Sequence, residues 1–295
     1  MVPQGGGESA VHHPSMRPVL LVVAVVVLAG CPKRREPERG HELVFSKRGE
    51  VRRSVERRLA QLDVRARLSE DGDQLSVRLP DTGSPIDVEA VKALLSVPAK
   101  LEFCKEAAQP AGAGCQAPQL EDGGVAGPVV EREPDDFDSS RCMAVGPDAK
   151  ELRAAMDAGI GRQVMAGAKS GGGWRTYVSE TGCLEPRVLD AKASKSEGLG
   201  AWSVNVTFDG PTATRFSELT ASMVNQRLFI VLDGVVTSAP VVREAITGGR
   251  AMVTLGANTD EATARKLAAA FKGGPIEGGL TLTREGPYGP PRLGP

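Results

Sequence analysis

Five cysteines are the residues of this chain best suited to chemistry, and the first of them predicts lipidation. Cys31 follows an apolar run, Val19 to Leu28, and the small residues Ala29 and Gly30. Such a run is too short to cross a bilayer as a stable helix, so it is typical of a signal-peptide core. The small residues before the cysteine match a bacterial lipobox, in which the cysteine is lipidated and becomes the mature N-terminus. The sequence therefore predicts a signal peptide over residues 1–31 and a lipid anchor on Cys31.

The segment after Cys31 is expected to tether a folded domain to a membrane. A plain secretory signal that happens to contain a cysteine is the alternative to lipidation. Pro32 rather than Asp follows the cysteine, which favours the outer membrane of a Gram-negative envelope over retention at the inner membrane. Residues 32–40 are dense in Lys, Arg, Glu and Pro and have little to bury, so they predict a solvated charged tether. We expect the remainder of the chain to face the periplasm.

The other four cysteines predict disulfides. Cys104, Cys115, Cys142 and Cys183 form an even set, which an exported chain places in an oxidising compartment. Three pairings are possible, and we favour Cys104 with Cys115 and Cys142 with Cys183 because each pair lies near the ends of a local segment. A zinc site is the alternative, but no Cys-x-x-Cys spacing exists and His41 is the only histidine left after processing. We expect no metal.

Residues that could form a hydrolase or a nucleotide site lack the required pattern. The chain has no Gly-x-Ser-x-Gly elbow around Ser238, and a site using Asp233 would have to rely on the distant His41. The run Gly171 to Trp174 lacks the Lys-Ser/Thr of a phosphate-binding loop. The acidic cluster from Glu131 to Asp138 lacks an Asp-x-Asp-x-Asp-Gly calcium loop. The sequence thus predicts a protein without catalysis and without a cofactor.

Composition fits an exported domain with one or two cores. The chain has 295 residues, 41% of them hydrophobic, and a formal net charge of -1, so it shows no global bias towards nucleic acid. One predicted helix has a basic face with Arg52, Arg53, Arg57 and Arg58. Interleaved glutamates and the lack of aromatic neighbours favour a solvated face over nucleic-acid or acidic-partner binding. No second apolar run approaches transmembrane length.

The segment from His41 to Cys104 predicts two helices among four strands. Strands are predicted at Glu42–Ser46, Val64–Leu68, Gln74–Leu79 and Ala99–Cys104. The helices are predicted from the spacing of Val51, Val55, Leu59 and Leu62, and from an Asp87 cap before Val91, Leu94 and Leu95. The order β-α-β-β-α-β is that of a split βαβ, or ferredoxin-like, fold.

A second set of elements surrounds Asp233 and Gly234. Two β-rich runs flank this pair, and Asp-Gly tolerates the positive φ angles of a tight primed turn, so residues 227–242 predict a β-hairpin. The other predicted elements are a strand at Ser203–Phe208, a helix beginning at Pro211, and a helix capped by Thr259 and ended by Gly273-Gly274.

This second set resembles the head of the first periplasmic domain of SecD, the membrane subunit that assists the Sec protein-export channel. The matching elements are Ile230-Val-Leu-Asp-Gly234, Val236, Ser238-Ala-Pro240, Gly248-Gly249, Leu267-Ala268 and Gly273-Gly274. The first set resembles the SecD base in its helix Val51–Arg58, the strand end Val77–Pro80 and the strand Ala99–Phe103. The resemblance implies an α+β fold with a ferredoxin-like base subdomain and an inserted α+β head subdomain.

The resemblance and the shifts in composition divide the chain into seven parts. They are the signal peptide with lipobox (1–31), the charged tether (32–40), the base (41–104), a loop-rich insertion that departs from the family (105–187), the head (188–275), a strand returning to the base (276–285), and a disordered Pro- and Gly-rich tail (286–295). The base is then discontinuous in sequence.

The resemblance implies a non-catalytic role in protein export. SecD carries membrane helices that hold a proton-coupled motor, whereas this chain resembles only the periplasmic part and is not expected to use a proton gradient. The head would contact exported polypeptides, with Phe229, Val235 and Val241 as candidate contacts. It would move relative to the base about crossings near Cys104 and Arg187 and help prevent backsliding. Sec translocon subunits are the other implied partners.

An envelope structural or protein-interaction module is the alternative function. In that case the SecD fold is retained for its stability, and a partner binds the insertion between Cys104 and Cys183. Neither interpretation includes a nucleic-acid partner.

Overall fold

A computed structural model describes most of the chain after the predicted tether. It covers residues 39–81, 85–107, 129–132, 142–150, 162–168, 173–195, 201–255, 259–277 and 279–289. The predicted signal peptide, the lipidation candidate Cys31, the cysteine Cys115 and most of the acidic cluster lie outside these residues. None of the helices in the covered ranges has the length and apolar character needed to cross a membrane.

Strands and helices are distributed along the whole described part. The strands are β1 (Gly40–Ser46), β2 (Arg67–Asp71), β3 (Gln74–Pro80), β4 (Leu101–Lys105), β5 (Val129–Arg132), β6 (Cys142–Gly146), β7 (Arg162–Ala168), β8 (Trp174–Glu180), β9 (Val188–Lys195), β10 (Trp202–Phe208), β11 (Leu228–Leu232), β12 (Val235–Ser238), β13 (Arg250–Thr254) and β14 (Thr281–Tyr288). The helices are α1 (Arg52–Gln61), α2 (Val88–Leu95), α3 (Gly210–Ala221) and α4 (Glu261–Gly273). The predicted α+β fold class is confirmed.

The base is a four-stranded antiparallel sheet, in the order β14-β1-β3-β2, together with α1 and α2. Alternation along β3 turns Leu75, Val77 and Leu79 to one face of the sheet. Helical spacing on α1 turns Val55 and Leu59 towards the same face. These side chains share one buried core, which fixes both helices on the sheet.

The prediction that Ala99–Cys104 completes the base sheet is wrong. The strand in this region, β4, pairs instead with β11 in a different sheet, and β14 takes the place beside β1. Burial explains the exchange, because Phe103 and Cys104 are buried on opposite faces of β4 and the head covers both faces, with Phe103 in one hydrophobic cluster and Cys104 in another. β14 is mostly exposed along its length, as expected for an edge strand.

The head consists of α3, α4 and two sheets. One sheet has three strands in the order β13-β10-β9, and the other has seven in the order β4-β11-β12-β7-β8-β6-β5. The rings of Phe103, Phe208 and Phe216 meet at the centre of the head core, with centroids 4.9 to 5.6 Å apart. This aromatic cluster joins β4, β10 and α3 through edge-on contacts.

The insertion between residues 105 and 187 is not loop-rich where the structure describes it. It supplies β5, β6, β7 and β8, and β7 continues the hairpin sheet by pairing in parallel with β12. The backbones approach so closely here that a Cβ on Gly167 would lie 2.6 Å from the carbonyl oxygen of Val236. Glycine is therefore required where the insertion joins the head.

The predicted hairpin is present, and its turn has the expected geometry. β11 and β12 pair antiparallel, with Leu232 opposite Val235. Asp233 and Gly234 both have positive φ angles, of 52° and 78°, as a primed two-residue turn requires.

One predicted helix cap is displaced by one position. Thr259 was expected to cap the last helix, but Asp260 is the N-cap of α4. Its carboxylate accepts a hydrogen bond from the backbone N–H of Thr263 at 2.7 Å, which satisfies one of the free donors of the first turn.

The disulfide pairing expected from the sequence is wrong. Cys104 pairs with Cys183, across 79 residues of chain. A backbone bridge explains the choice. Phe103 and Leu184, which are the sequence neighbours of Cys104 and Cys183, exchange hydrogen bonds and bring the segment after β8 beside β4. The bond therefore fastens the insertion to the head and excludes both of the favoured local pairings.

Peptide mapping of the oxidised protein is expected to recover Cys104 linked to Cys183. Replacing both cysteines with Ala is expected to lower the free energy of unfolding by about 4 kcal/mol, because a long loop is no longer closed in the unfolded chain. Urea denaturation with and without reductant measures this loss. Recovery of Cys104 linked to Cys115 would contradict the pairing.

Candidate functional site at the junction of base and head

Within the described residues, two short segments cross between base and head. Residues 96–100 connect α2 to β4, and residues 274–280 connect α4 to β14. The crossings predicted near Cys104 and Arg187 are therefore misplaced, since both residues lie within the head. The two observed segments touch each other, because the N–H of Ile276 donates to the carbonyl of Pro98 at 3.0 Å.

One buried arginine holds both crossings. Arg58, on α1, is fully buried. Its guanidinium donates to the carbonyl of Gly274 from Nε at 3.2 Å and from Nη2 at 2.8 Å. Nη2 also donates to the carbonyl of Pro98 at 2.9 Å, and Nη1 donates to the carbonyls of Leu94, at 2.9 Å, and Val97. A single side chain from the base therefore joins the end of α2, the first crossing and the second crossing.

The prediction that Arg58 belongs to a solvated basic face is wrong. Arg58 lies three residues after Val55 and seven after Val51, which places it on the buried stripe of α1. Arg52, Arg53 and Arg57 do lie on the exposed face. Burial of the guanidinium is tolerated because several backbone carbonyls at the helix and loop ends replace its hydration.

The hairpin turn also docks on the first crossing. The carboxylate of Asp233 accepts from the N–H of Lys100 at 2.7 Å, and the N–H of Asp233 donates to the carbonyl of Lys100 at 2.9 Å. Burial lowers the pKa of Arg58 to about 10, while the charge of Asp233 opposes this shift. The guanidinium thus remains charged at neutral pH, with a carboxylate in its surroundings.

Close packing at the end of α4 leaves no room for a side chain. A Cβ on Gly273 would lie 2.3 Å from Cγ of Arg58 and 3.2 Å from its Cα. The next residue, Gly274, has a φ of 90° and ends the helix. The two glycines predicted as a helix terminator therefore have a second role, since they let α4 approach α1 at Arg58.

A cleft of about 300 Å³ lies next to the junction on the head. Its apolar wall contains Leu101, Val188 and Phe271, and its prolines are Pro186, Pro211 and Pro275. Its charged residues are Lys100, Arg187, Arg215, Glu185 and Asp209. Lys100 and Pro275 belong to the crossings themselves, so the cleft and the junction share residues.

Two of the charged groups of the cleft, those of Lys100 and Asp209, have close hydrogen-bond partners. A hydrogen bond from Lys100 to Glu185 raises the pKa of the ammonium group, and their N–O distance is 2.8 Å. Hydrogen bonds from Thr212 hold the pKa of Asp209 below its ordinary value. Both groups are ionised at neutral pH. The cleft therefore offers an apolar wall with charges of both signs at its rim.

The candidate contact residues predicted from the sequence differ in their burial. Phe229 is only 1% exposed and packs edge-on against Tyr177, with ring centroids 5.2 Å apart, so it is a core residue and not a contact. Val235 and Val241 are half-buried and stay predictions. The cleft residues were missed, because they come from four separate stretches of sequence that share no motif.

The residues considered for catalysis serve other purposes in the structure. The carboxylate of Asp233 is engaged by the backbone of Lys100. His41 lies on β1 in the base, where its Nε2 is 3.7 Å from a carboxylate oxygen of Glu285. In the described ranges, no group of three or more His, Cys, Asp or Glu side chains is arranged to hold a metal ion.

Comparisons with known proteins find relatives of the region that contains most of this site. Residues 168–277 match the family model of the SecDF P1 head subdomain. Protein translocase subunit SecD of Acetobacter pasteurianus is 34% identical over 103 residues, which are 35% of this chain and 19% of that protein. Protein translocase subunit SecDF of Thermus thermophilus is 36% identical over 103 residues, which are 35% of this chain and 14% of that protein. The alignments thus span about a fifth or less of these relatives.

A solved structure shares the fold over a larger part of the chain. A crystal structure of SecDF in a super-membrane-facing form covers 87% of this chain and 32% of its own, at 21% identity and a TM-score of 0.51. At this identity the likeness concerns the fold alone.

Replacing Arg58 with Met is expected to lower the free energy of unfolding by about 3 kcal/mol or more, because the buried carbonyls lose their donors. Arg53 is the matched control, since it is exposed on the same helix; its replacement with Met is expected to change stability by about 0.5 kcal/mol or less. Urea denaturation measures both values. Equal effects of the two substitutions would contradict the role assigned to Arg58.

Proposed function

We propose that this chain assists protein export without catalysis, since its predicted resemblance to the SecD periplasmic domain is confirmed. The head would bind exported polypeptides, and the base would carry the head at the membrane surface through a lipid on Cys31. The match of residues 168–277 to the SecDF P1 head subdomain is the observation that carries the proposal. Sec translocon subunits and the exported chains themselves are the proposed partners.

The cleft beside the junction is the proposed polypeptide-binding site. Its apolar wall, formed by Leu101, Val188 and Phe271, could accept an apolar side chain. The ionised groups of Lys100 and Asp209 at the rim could bind the polar backbone or charged side chains of the same segment. Such mixed contacts suit weak binding of many different sequences, as an export factor requires.

Binding in this cleft would act on the segments that join base and head. Lys100 lines the cleft and is bonded to the hairpin turn through Asp233. Pro275 lines it and follows Gly274, whose carbonyl receives two bonds from Arg58. A polypeptide in the cleft would therefore contact the crossings directly, which supports a coupling between its binding and the position of the head.

Photocrosslinking in cells tests the proposal. A photoreactive amino acid at Arg187, on the exposed rim of the cleft, or at Val235 is expected to capture a spread of exported polypeptides. The same probe at the exposed base residue Gln61 is the matched control, and the buried Phe229 is a second one. Capture is measured by mass spectrometry of the crosslinked products.

The outcomes separate the two candidate functions. Exported chains or Sec subunits captured at the cleft but not at Gln61 support the export role. Capture of one unrelated envelope protein at Val235, which pairs with Ala166 of the insertion strand β7, would replace it with an interaction module. The second candidate has one structural observation in its favour, since those strands extend the hairpin sheet and give the insertion a folded surface.

A further inference from the structure

A groove rimmed by arginines lies on the base, between α1 and the segment 64–68, far along the chain from the residues of the cleft. Its volume is about 520 Å³. Three guanidinium groups line it, from Arg52, Arg65 and Arg67, and one carboxylate, from Glu56. Leu59 and the apolar side chains of the segment form its floor. The groove is therefore amphipathic, with an excess of positive charge at its rim.

Local structure places the arginines at this rim. In the segment 64–68, the alternate residues Val64, Ala66 and Leu68 pack towards the base core. Arg65 and Arg67 must then point outward, and both are exposed. On the other side Arg52 is paired with Glu56 at 3.0 Å, and its Nη1 lies 3.4 Å from the carbonyl of Leu68. This arginine fixes the width of the groove, since it connects the two walls.

We propose that this groove binds the phosphate of an anionic phospholipid headgroup. The inference rests on the proposed membrane anchoring through Cys31. Arginine matches phosphate because its planar group donates two parallel hydrogen bonds and is weakly hydrated. The apolar floor, with the half-buried side chains of Val64 and Leu68, gives the glycerol and the first methylenes of the lipid a surface to cover. Each arginine near an anionic surface adds to the attraction.

The length of the chain before the base brings the groove within reach of the bilayer. The chain from Cys31 to the start of β1 at Gly40 spans at most about 32 Å when it is fully extended. In the base sheet Arg67 is opposite Arg78, which is opposite Glu42, two residues along from Gly40. Two strand spacings and two residues of rise give a separation of about 12 Å between Gly40 and Arg67.

The tether itself carries charge of the same sign. Lys33, Arg34, Arg35 and Arg39 lie between the lipidation candidate and the base. Basic residues next to the lipid would add to the attraction of the groove for an anionic membrane and favour an orientation with the groove towards the bilayer. The groove then sets the orientation of the base, whereas the lipid sets only its distance from the bilayer.

Vesicle binding of the chain without its lipid tests the groove. The hydrophobic clusters of base and head are formed by residues that follow position 42, so we expect a chain of residues 32–295 to fold without the signal peptide. This chain is expected to sediment with vesicles that contain phosphatidylglycerol and not with vesicles of phosphatidylcholine alone. The bound fraction is expected to fall as salt is added, because the attraction is electrostatic.

The double variant Arg65→Gln, Arg67→Gln is expected to bind phosphatidylglycerol vesicles about tenfold more weakly. Arg243→Gln, Arg250→Gln is the matched control, because it removes the same charge from exposed positions of the head; it is expected to change binding less than about twofold. Both variants are expected to fold, because all four side chains are exposed. Circular dichroism and urea denaturation check this.

Three results would contradict the proposal that the groove binds an anionic phospholipid. They are an equal loss of binding in the two double variants, no preference for phosphatidylglycerol, and displacement of the chain from vesicles into a stoichiometric complex with an acidic peptide. The last result would assign the groove to a protein partner. The mass of the N-terminal peptide from membranes reports lipidation of Cys31 independently, so failure of the anchor and failure of the groove are distinguishable.

Discussion

The hydrogen bonds of the buried guanidinium of Arg58 are the interaction on which the relation of base to head depends. The chain leaves the base at residue 96 and returns at residue 274, and these two points are far apart in sequence. Arg58 holds them near each other, because it donates hydrogen bonds to Pro98 on the outgoing segment and to Gly274 on the returning segment. One side chain of α1 thus connects the base to both segments that lead to the head.

A buried cation carries a cost that constrains its surroundings. Desolvation lowers the pKa of Arg58 and the charge of Asp233 opposes this shift, while a carbonyl at the end of α2 accepts a hydrogen bond in place of water. The close approach of α4 requires glycine at position 273. The hairpin turn docks at the same place, so the junction, the turn and the cleft that shares Lys100 form one connected region. Any movement of the head would have to rearrange these bonds together.

Local chemistry made part of this structure predictable. Asp233-Gly234 demands a primed turn wherever it lies between β-rich runs, and the hairpin is present. The burial of Arg58 has a signal in the sequence, since its spacing from Val55 puts it on the apolar stripe of α1. The place of β4 and the Cys104–Cys183 bond depended on pairing between distant segments. Periodicity within a segment predicts the type of an element but not which other element it pairs with. The cleft could not be predicted for the same reason, because its residues come from four separate stretches of sequence.

Hydrogen exchange of single amides tests most directly whether Arg58 holds both crossings. The amide of Ile276 is bonded to Pro98, and the amide of Lys100 is bonded to Asp233. In Arg58→Met we expect both amides to lose protection together, while the amide of Val77 in the base sheet retains more of its protection. Unchanged protection at Ile276 and Lys100, or an equal loss at Val77, would contradict the account.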